Sequence, residues 1–239
     1  FGEVALNKRF LEFLTQKEII LHFLNNYGYY IGSYYPREHL NSGYMILKQA
    51  EHYLDGAKRL VLAKCFVRGA SANMLEVLSY YANRGKEVQK QVEAISNLIE
   101  RLEDSQAVDE LMAIEGNIRD HYYQSFNAII GKAEFDFQGR NRRPPRDRIN
   151  ALISFGNTLA YMAVLSEIYK THLDPRIGYL HTTNFRRFTL NLDVAEIFKP
   201  ILVDRVIFSL LGRNMLRASH FENKAQSIIM NDKGRKIFV

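Results

Sequence analysis

Cysteine is almost absent from this 239-residue sequence, and tryptophan is absent altogether. The one cysteine, Cys65, cannot form an internal disulfide, and its isolation excludes a zinc site built from several thiolates. Such scarcity fits a reducing compartment, so we expect a cytoplasmic protein. No secretory leader is visible and no apolar run approaches the roughly 20 residues of a membrane span, so we expect no membrane partner.

Three common catalytic motifs are missing as well. The sequence contains no G-x-S-x-G, no H-E-x-x-H and no G-x-x-x-x-G-K-[ST] pattern. Gly85-Lys86 and Gly131-Lys132 lack the upstream glycine that the last of these patterns requires. Serine hydrolases, zinc proteases of this type and P-loop enzymes therefore lose their main sequence support.

The first 42 residues differ in composition from the rest of the chain. Aromatic and β-branched residues surround Asn25-Asn26 and Gly28, which predicts two strands joined by a turn. A short helix is expected before them, near Leu6–Gln16. Two strands alone are only marginally stable, so we interpret residues 1–42 as the end of an N-terminal β domain.

From residue 43 onward, apolar residues recur at helical spacing. We expect interruptions at Gly56 and Gly69, and Pro144-Pro145 bars a continuous helix between residues 134 and 146. A strongly helical segment follows over Arg146–Thr171. The predicted fold class is therefore mainly α: an all-helical domain over residues 43–239, preceded by the remnant of a small β domain.

The two ends of the sequence indicate a fragment. The chain begins at Phe1 without a methionine. Its last residues, from Asp232 to Val239, have the composition of the start of another element. We therefore expect this sequence to be part of a longer polypeptide.

Basic residues outnumber acidic ones by 32 to 26, and the formal charge of +6 favours a polyanionic partner. Residues 140–148 contain five arginines against one acid: Arg140, Arg142, Arg143, Arg146 and Arg148. A second group brackets His181: Arg176, Arg186 and Arg187. A solvated loop is the ordinary explanation of such segments. Their position beside the acids and histidine described below favours phosphate binding instead.

Glu115 falls inside an apolar stripe between residues 105 and 130. The members of the stripe recur at helical spacing: Val108, Leu111, Ile118, Tyr122 and Ile129. An ionised carboxylate on a buried helix face is costly unless it is paired or bound to a metal ion, so a partner must face Glu115. The glycine that follows, Gly116, predicts a close approach of another group to the backbone.

Two further polar residues, His181 and Glu196, complete a possible set of metal ligands with Glu115. A turn-rich segment over residues 174–178 fixes the chain before His181, and Pro200 is expected to disturb the helix that carries Glu196. Two carboxylates and one imidazole suit Mn²⁺ well and tolerate Mg²⁺. Such an ion would assist the cutting or joining of phosphodiesters.

Each of these residues also has an ordinary structural explanation. Glu115 and Arg119 are four positions apart, the spacing of a helical ion pair. Asp193 and Glu196 match a capping box at the start of a helix near Asp193. A single histidine in a loop, such as His181, is more often a satisfied side chain than a ligand. Taken singly, none of these residues specifies a site.

Four segments of the sequence carry a resemblance to a known family. They are residues 115–123 (EGNIRDHYY), 142–156 (RRPPRDRINALISFG), 173–181 (LDPRIGYLH) and 192–200 (LDVAEIFKP). In this order they resemble the motif blocks of the CRISPR-associated spacer-acquisition integrases, and the similarity extends over the whole chain. The family has an N-terminal β domain and a C-terminal helical catalytic domain, so the resemblance implies the end of the first and most of the second.

The resemblance also implies site residues and partners. Glu115, His181 and Glu196 would bind Mg²⁺ or Mn²⁺, with Asp193 as a nearby catalytic acid. The protein would form a homodimer, join a small ferredoxin-like partner subunit, bind short double-stranded DNA and insert it into a repeat array by 3′-hydroxyl attack on a phosphodiester. Two departures stand out: Glu196 occupies a position that is often aspartate, and a basic residue expected near Ala70 is missing.

Two roles and two functions stay open from the sequence. Asp193 either binds a second ion or orients a ligand. The following arginines are expected to contact backbone phosphates rather than bases: Arg140, Arg142, Arg143, Arg146, Arg176 and Arg186. The alternatives to the integrase are a non-catalytic, basic, helical nucleic-acid-binding scaffold and a repair nuclease for branched DNA that uses the same site.

Overall fold

A computed structural model describes residues 4–36, 40, 42–141, 144–183, 188–224 and 226–239. Its α-helices are α1 (Lys8–Gln16), α2 (Gly43–Leu54), α3 (Gly56–Ala82), α4 (Gln89–Glu100), α5 (Val108–Gln124), α6 (Phe126–Ile130), α7 (Arg148–Tyr169), α8 (Thr189–Lys199), α9 (Arg205–Gly212) and α10 (Asp232–Phe238). Its strands are β1 (Leu21–Leu24), β2 (Tyr30–Tyr34), β3 (Phe221–Lys224) and β4 (Ser227–Met230). The predicted fold class, mainly α, is confirmed.

The N-terminal segment forms the predicted helix and hairpin. Strands β1 and β2 are antiparallel, with Leu21 opposite Tyr34 and an irregularity between Phe23 and Leu24. The Asn25 side chain accepts hydrogen bonds from two backbone amides in the turn, and Gly28 adopts a φ of +83° that L-residues rarely adopt. A second antiparallel hairpin, β3–β4, was not predicted. The domain division at residue 42 stays a prediction.

Helices α3, α5, α7 and α8 form the centre of the molecule. Helix α3 packs against α4, α5 and α8, and α7 packs against α8. The largest fully buried side chains include Ile118 and Tyr122 of α5 and Leu152 of α7. At Gly156 of α7, an added Cβ would lie 2.5 Å from Val203 Cγ1. Close packing at this point therefore requires glycine.

Two sequence predictions about glycine are wrong. Helix α3 runs without interruption through Gly69, where an added Cβ would make only ordinary contact with Ile197 at 3.5 Å. The break occurs before Gly56, because the Asp55 side chain accepts from the first free amides of α3. At Gly116, no described atom outside its own helix backbone lies within 4 Å of an added Cβ, so the predicted close approach is not found.

Helix α7 corrects a third expectation. Its 22 residues, with a mean hydropathy of 1.3 over the most apolar window, are long and apolar enough to cross a membrane by length and composition. The expectation that no apolar run approaches this length is therefore wrong. In the structure 61% of that window is buried against the other helices. A buried core helix passes the same test, because it must be apolar on nearly every face.

Between α8 and α9 the helical hydrogen bonding widens into one π turn over Pro200–Asp204. Pro200 has no amide hydrogen, so it cannot form the usual bond to the carbonyl four residues earlier. At the end of the turn, the Arg205 amide donates to the Pro200 carbonyl, five residues back. The predicted disturbance at Pro200 is confirmed, and it lies directly after the segment of α8 that carries Glu196.

Candidate functional site

Glu115 of α5 and Glu196 of α8 meet across a single guanidinium group. Arg119, one turn after Glu115, uses the same atom, Nη2, to contact Glu115 Oε1 and to contact Glu196 Oε2 at 2.8 Å. The exposed side-chain fractions are 13% for Glu115, 15% for Arg119 and 9% for Glu196. The structure therefore brings two of the three predicted ligands to one shared cation. The helical ion pair considered from the sequence is also present, but it is only half of this arrangement.

Lys199 is a second buried cation at the site. Its ammonium group pairs with Glu196 Oε1 and donates to the Tyr161 hydroxyl of α7 at 2.5 Å. It also lies 4.4 Å from the centre of the Tyr161 ring, within the range of a cation–π interaction. Sequence reasoning missed this residue. The available signal was a lysine three positions after Glu196, the spacing at which two side chains on one helix meet.

The paired charges keep Glu196 and Arg119 ionised despite their burial. Burial raises the pKa of Glu196, but the charges of Lys199 and Arg119 outweigh it and lower that pKa to about 2. Burial lowers the pKa of Arg119, yet Glu196 and Glu115 raise it well above its ordinary value. Glu196 is therefore a carboxylate at neutral pH. Buried acids are retained in the charged state when opposite charges compensate the lost hydration.

Asp193 is fully buried in the second turn of α8. Its Oδ2 accepts from the amides of Tyr179 at 2.6 Å and Leu180 at 3.0 Å. Its Oδ1 accepts from the amide of His181 at 3.0 Å and from the ring Nδ1 of the same residue at 2.8 Å. Helix α8 begins at Thr189, so the alternative of a capping box formed by Asp193 and Glu196 is wrong.

The bond to Asp193 sets the orientation and the tautomer of His181. Because a carboxylate only accepts hydrogen bonds, Nδ1 is the donor in this bond, and in the tautomer with one ring proton Nε2 keeps its lone pair. The His181 side chain is 27% exposed, so this ring is accessible from solvent. Both Asp193 oxygens are already engaged by nitrogen donors. This favours the orienting role over the binding of a second ion.

The loop that carries His181 is held by three helices. Gln49 of α2 forms a two-way pair with Asp174, accepting from its amide at 2.7 Å and donating to its carbonyl at 3.1 Å. Arg59 of α3 donates to the Tyr179 carbonyl at 2.8 Å. At Gly178, an added Cβ would lie 2.5 Å from the backbone of Thr189 in α8. The turn-rich sequence before His181 thus fixes this residue through contacts that are distant in the chain.

The predicted DNA-binding arginines fall into different environments. Arg140 donates to Asn150 Oδ1 at 2.7 Å and to Ser154 Oγ at 3.3 Å, both on α7. Arg176 pairs with Asp174 at 2.5 Å, although 68% of its side chain is exposed. Arg146 is exposed. The remaining candidates lie outside the described residues: Arg142, Arg143 and Arg186. The phosphate-binding role of all six stays a prediction.

Within the part of the chain that the structure describes, no three His, Cys, Asp or Glu side chains are grouped closely enough to hold a metal ion. Glu115 and Glu196 nevertheless share a cation, and His181 is bonded to Asp193, one turn before Glu196 on α8. Two carboxylates that converge on one positive charge, together with an imidazole as a third donor, fit the ligand chemistry of Mg²⁺ and Mn²⁺. The three-ligand set stays a prediction.

Comparison with known proteins decides the family. The family model described as CRISPR associated protein Cas1 matches residues 1–239. The CRISPR-associated endonuclease Cas1 2 of Thermodesulfovibrio yellowstonii is 64% identical over 239 residues, which are 100% of this chain and 72% of the relative. The chain belongs to the Cas1 family. The resemblance carried by the four sequence segments is confirmed.

Solved structures share the fold of this Cas1 chain. A Cas1 protein from Thermotoga maritima has a TM-score of 0.89 at 48% identity, covering 100% of this chain and 75% of the other. A casposase bound to its integration product has a TM-score of 0.87 at 22% identity, with 98% and 65% covered. A Cas6-RT-Cas1–Cas2 complex gives 0.82 at 20% identity, with 94% and 25% covered. At the last two identities the likeness shows the fold alone.

Proposed function

We propose that this Cas1 chain carries the catalytic site of a metal-dependent DNA endonuclease and integrase of CRISPR adaptation. It would insert short duplex DNA into a repeat array by attack of a 3′-hydroxyl on a phosphodiester. One observation carries the proposal: Glu115 and Glu196, on different helices, converge on one positive charge, and Asp193, one turn before Glu196 on α8, orients His181. Relatives named as endonucleases support the same class of reaction.

The side chains of the proposed site have different roles. Glu115, Glu196 and Nε2 of His181 would hold Mg²⁺ or Mn²⁺, which when bound stabilises charge on the phosphoryl oxygens and helps to ionise the attacking hydroxyl. Asp193 keeps the His181 ring in one orientation and tautomer. Lys199 keeps Glu196 ionised, and its ammonium group links the Glu196 carboxylate to the Tyr161 hydroxyl.

The partners follow from charge and from family membership. The excess of basic residues, 32 to 26, favours duplex DNA, with Arg146 and Arg176 as exposed candidates for backbone phosphates. We further propose a homodimer and a small ferredoxin-like partner subunit. A structural neighbour is a complex that contains both Cas1 and Cas2, which is consistent with a partner of this kind.

Substitution of the acids tests the enzymatic function. Glu115→Gln and Glu196→Gln keep the side-chain shape and remove the charge that binds the ion. The assay contains a labelled short duplex, a repeat-containing plasmid and Mn²⁺. The rate of strand joining should fall by more than the roughly 100-fold that is typical when a residue hydrogen-bonded to a metal ligand is replaced. Glu76→Gln on exposed α3 surface is the matched control and should retain activity. Full joining by a folded Glu115→Gln protein would refute the assignment.

Two measurements separate the alternatives. If the protein is a non-catalytic scaffold, Mn²⁺ should not raise its melting temperature. If it is the proposed enzyme, Mn²⁺ should raise the melting temperature, and Glu196→Gln should abolish that rise. A branched-DNA repair nuclease would use the same residues but release cut strands. The ratio of joined to cut product therefore decides between the two enzymes.

A further inference from the structure

One nitrogen atom occupies the point where the two acids of the site converge. Arg119 Nη2 contacts Glu115 Oε1 and Glu196 Oε2, so it stands between the carboxylates of two different helices. A divalent ion that ligated both acids would need carboxylate oxygens that this nitrogen now contacts. The guanidinium and the ion therefore compete for one position.

Both carboxylate oxygens of Glu196 are already engaged by cations. Its Oε2 is taken by Arg119 and its Oε1 by Lys199, and the side chain is only 9% exposed. An ion that binds Glu196 must therefore displace or weaken one of these two contacts. Of the two acids, Lys199 contacts only Glu196 within the described residues, and it also donates to Tyr161, whereas Arg119 contacts both acids. The arginine lies in the path of an ion that bridges the acids.

We propose that Arg119 is a resident cation that holds Glu115 and Glu196 together in the metal-free protein and is displaced when a divalent ion binds. The proposal rests on the proposed function, since it assumes that both acids bind the ion. Arg119 is then a positioning residue with two opposite effects. It stabilises the metal-free fold, and it lowers the apparent affinity for the ion, because part of the binding free energy is used to separate the guanidinium from the acids.

The spacing of the residues supports this arrangement. Arg119 follows Glu115 by four residues on α5, so both side chains leave the same face of one helix. A guanidinium stays protonated in proteins, and both acids raise the pKa of Arg119 further, so loss of a proton cannot vacate the site. Only movement of the side chain can. With the arginine in place, a positive charge lies between the two carboxylates and offsets their mutual repulsion.

The test measures Mn²⁺ binding to the protein without DNA, by calorimetry and by thermal unfolding. Arg119→Gln removes the charge and the bridge. We expect a lower melting temperature without the ion, a larger rise on adding Mn²⁺, and a dissociation constant at least about tenfold lower than that of the wild type. Lys199→Met is the matched control, since it also removes one buried charge beside Glu196 but does not contact Glu115.

Each outcome has a defined meaning. An affinity gain in Arg119→Gln that clearly exceeds the gain in Lys199→Met supports displacement. An unchanged or weaker affinity, or an equal gain in both variants, overturns it, because the arginine then supports the ligands or acts only through its charge. If Arg119→Gln does not fold without the ion, Arg119→Lys keeps the charge on a shorter arm. Arg119→Lys should show a smaller gain in Mn²⁺ affinity than the gain expected for Arg119→Gln. If Arg119→Lys shows no gain in affinity, the proposal is also overturned.

One further variant separates this inference from the proposed function. Glu196→Gln should lose Mn²⁺ binding if the acids form the ion site. If Glu196→Gln binds Mn²⁺ as the wild type does, the proposed metal site fails and the displacement fails with it. If Glu196→Gln loses binding while Arg119→Gln gains none, only the displacement is refuted.

Discussion

Replacing Asp193 by asparagine tests how the loop that carries His181 is fixed. The carboxylate accepts from four nitrogen donors: three backbone amides and the ring Nδ1 of His181. Asparagine has nearly the same shape but presents one oxygen and one NH₂ group. With the NH₂ group at the Oδ2 position, it faces the amides of Tyr179 and Leu180, and both hydrogen bonds are lost. With the NH₂ group at the Oδ1 position, the bond from the His181 amide is lost, and ring Nδ1 can accept only if the ring changes tautomer.

The magnitude follows from the burial of Asp193, whose exposed fraction is 0%. Hydrogen bonds to a charged group contribute about 1.5–3 kcal/mol each, and a buried donor left without a partner adds a desolvation cost. Loss of one or two such bonds, partly relieved by movement of the loop, should lower the free energy of unfolding by about 2–5 kcal/mol. This is a large part of the stability of an ordinary domain.

Urea unfolding followed by far-UV circular dichroism measures the change. Asp193→Asn should shift the midpoint to lower urea with little change in slope, because the native surface is nearly the same. Asp120→Asn, on the exposed face of α5, is the matched control and should lie within about 0.5 kcal/mol of the wild type. If Asp193→Asn is destabilised by less than about 1 kcal/mol, the carboxylate does not hold the loop as the hydrogen bonds indicate.

Two further predictions concern packing and pH. Gly178→Ala should cost about 1–3 kcal/mol in urea unfolding, because its Cβ would lie 2.5 Å from the Thr189 backbone. Gly116→Ala, in open space within α5, should instead stabilise by about 0.5–1 kcal/mol; equal effects would contradict the packing at Gly178. Burial raises the pKa of Asp204 from 3.8 to about 7, so the native state binds the extra proton and its stability falls as pH rises between these values. Asp204→Asn should therefore be more stable than the wild type at pH 8 but not at pH 4, and a gain independent of pH would contradict the buried acid.

Local signals predicted the elements that surround the site. The helical spacing of apolar residues indicated α5 and α7, and the turn around Gly28 indicated the first hairpin. These features depend on residues that are close in the chain. The second hairpin, β3–β4, was missed because its strands are only four residues each and one of them is largely exposed. Its pairing therefore leaves little trace in the pattern.

Errors arose where a local pattern had two meanings. Glycine at position 69 is a signal for a helix break. Helix α3 nevertheless continues through Gly69, because the helix packs against Ile197 at this point. The sequence around Asp193 matches a capping box, yet α8 begins four residues earlier and the acid is buried against the His181 loop. Intrinsic propensity is weak, so tertiary packing overrides it at such positions.

The sequence by itself determined which side chains had to be explained: an acid within an apolar helix stripe, a histidine after a rigid turn, and a second acid before Pro200. The four-residue spacing also indicated Arg119 as a partner of Glu115, but only the tertiary structure decided what else faces these side chains. It placed Arg119 between Glu115 and Glu196 and positioned Lys199 against Tyr161. The physical reason is that helical periodicity records which face of a segment is buried, whereas the partner across the interface depends on how separate helices pack.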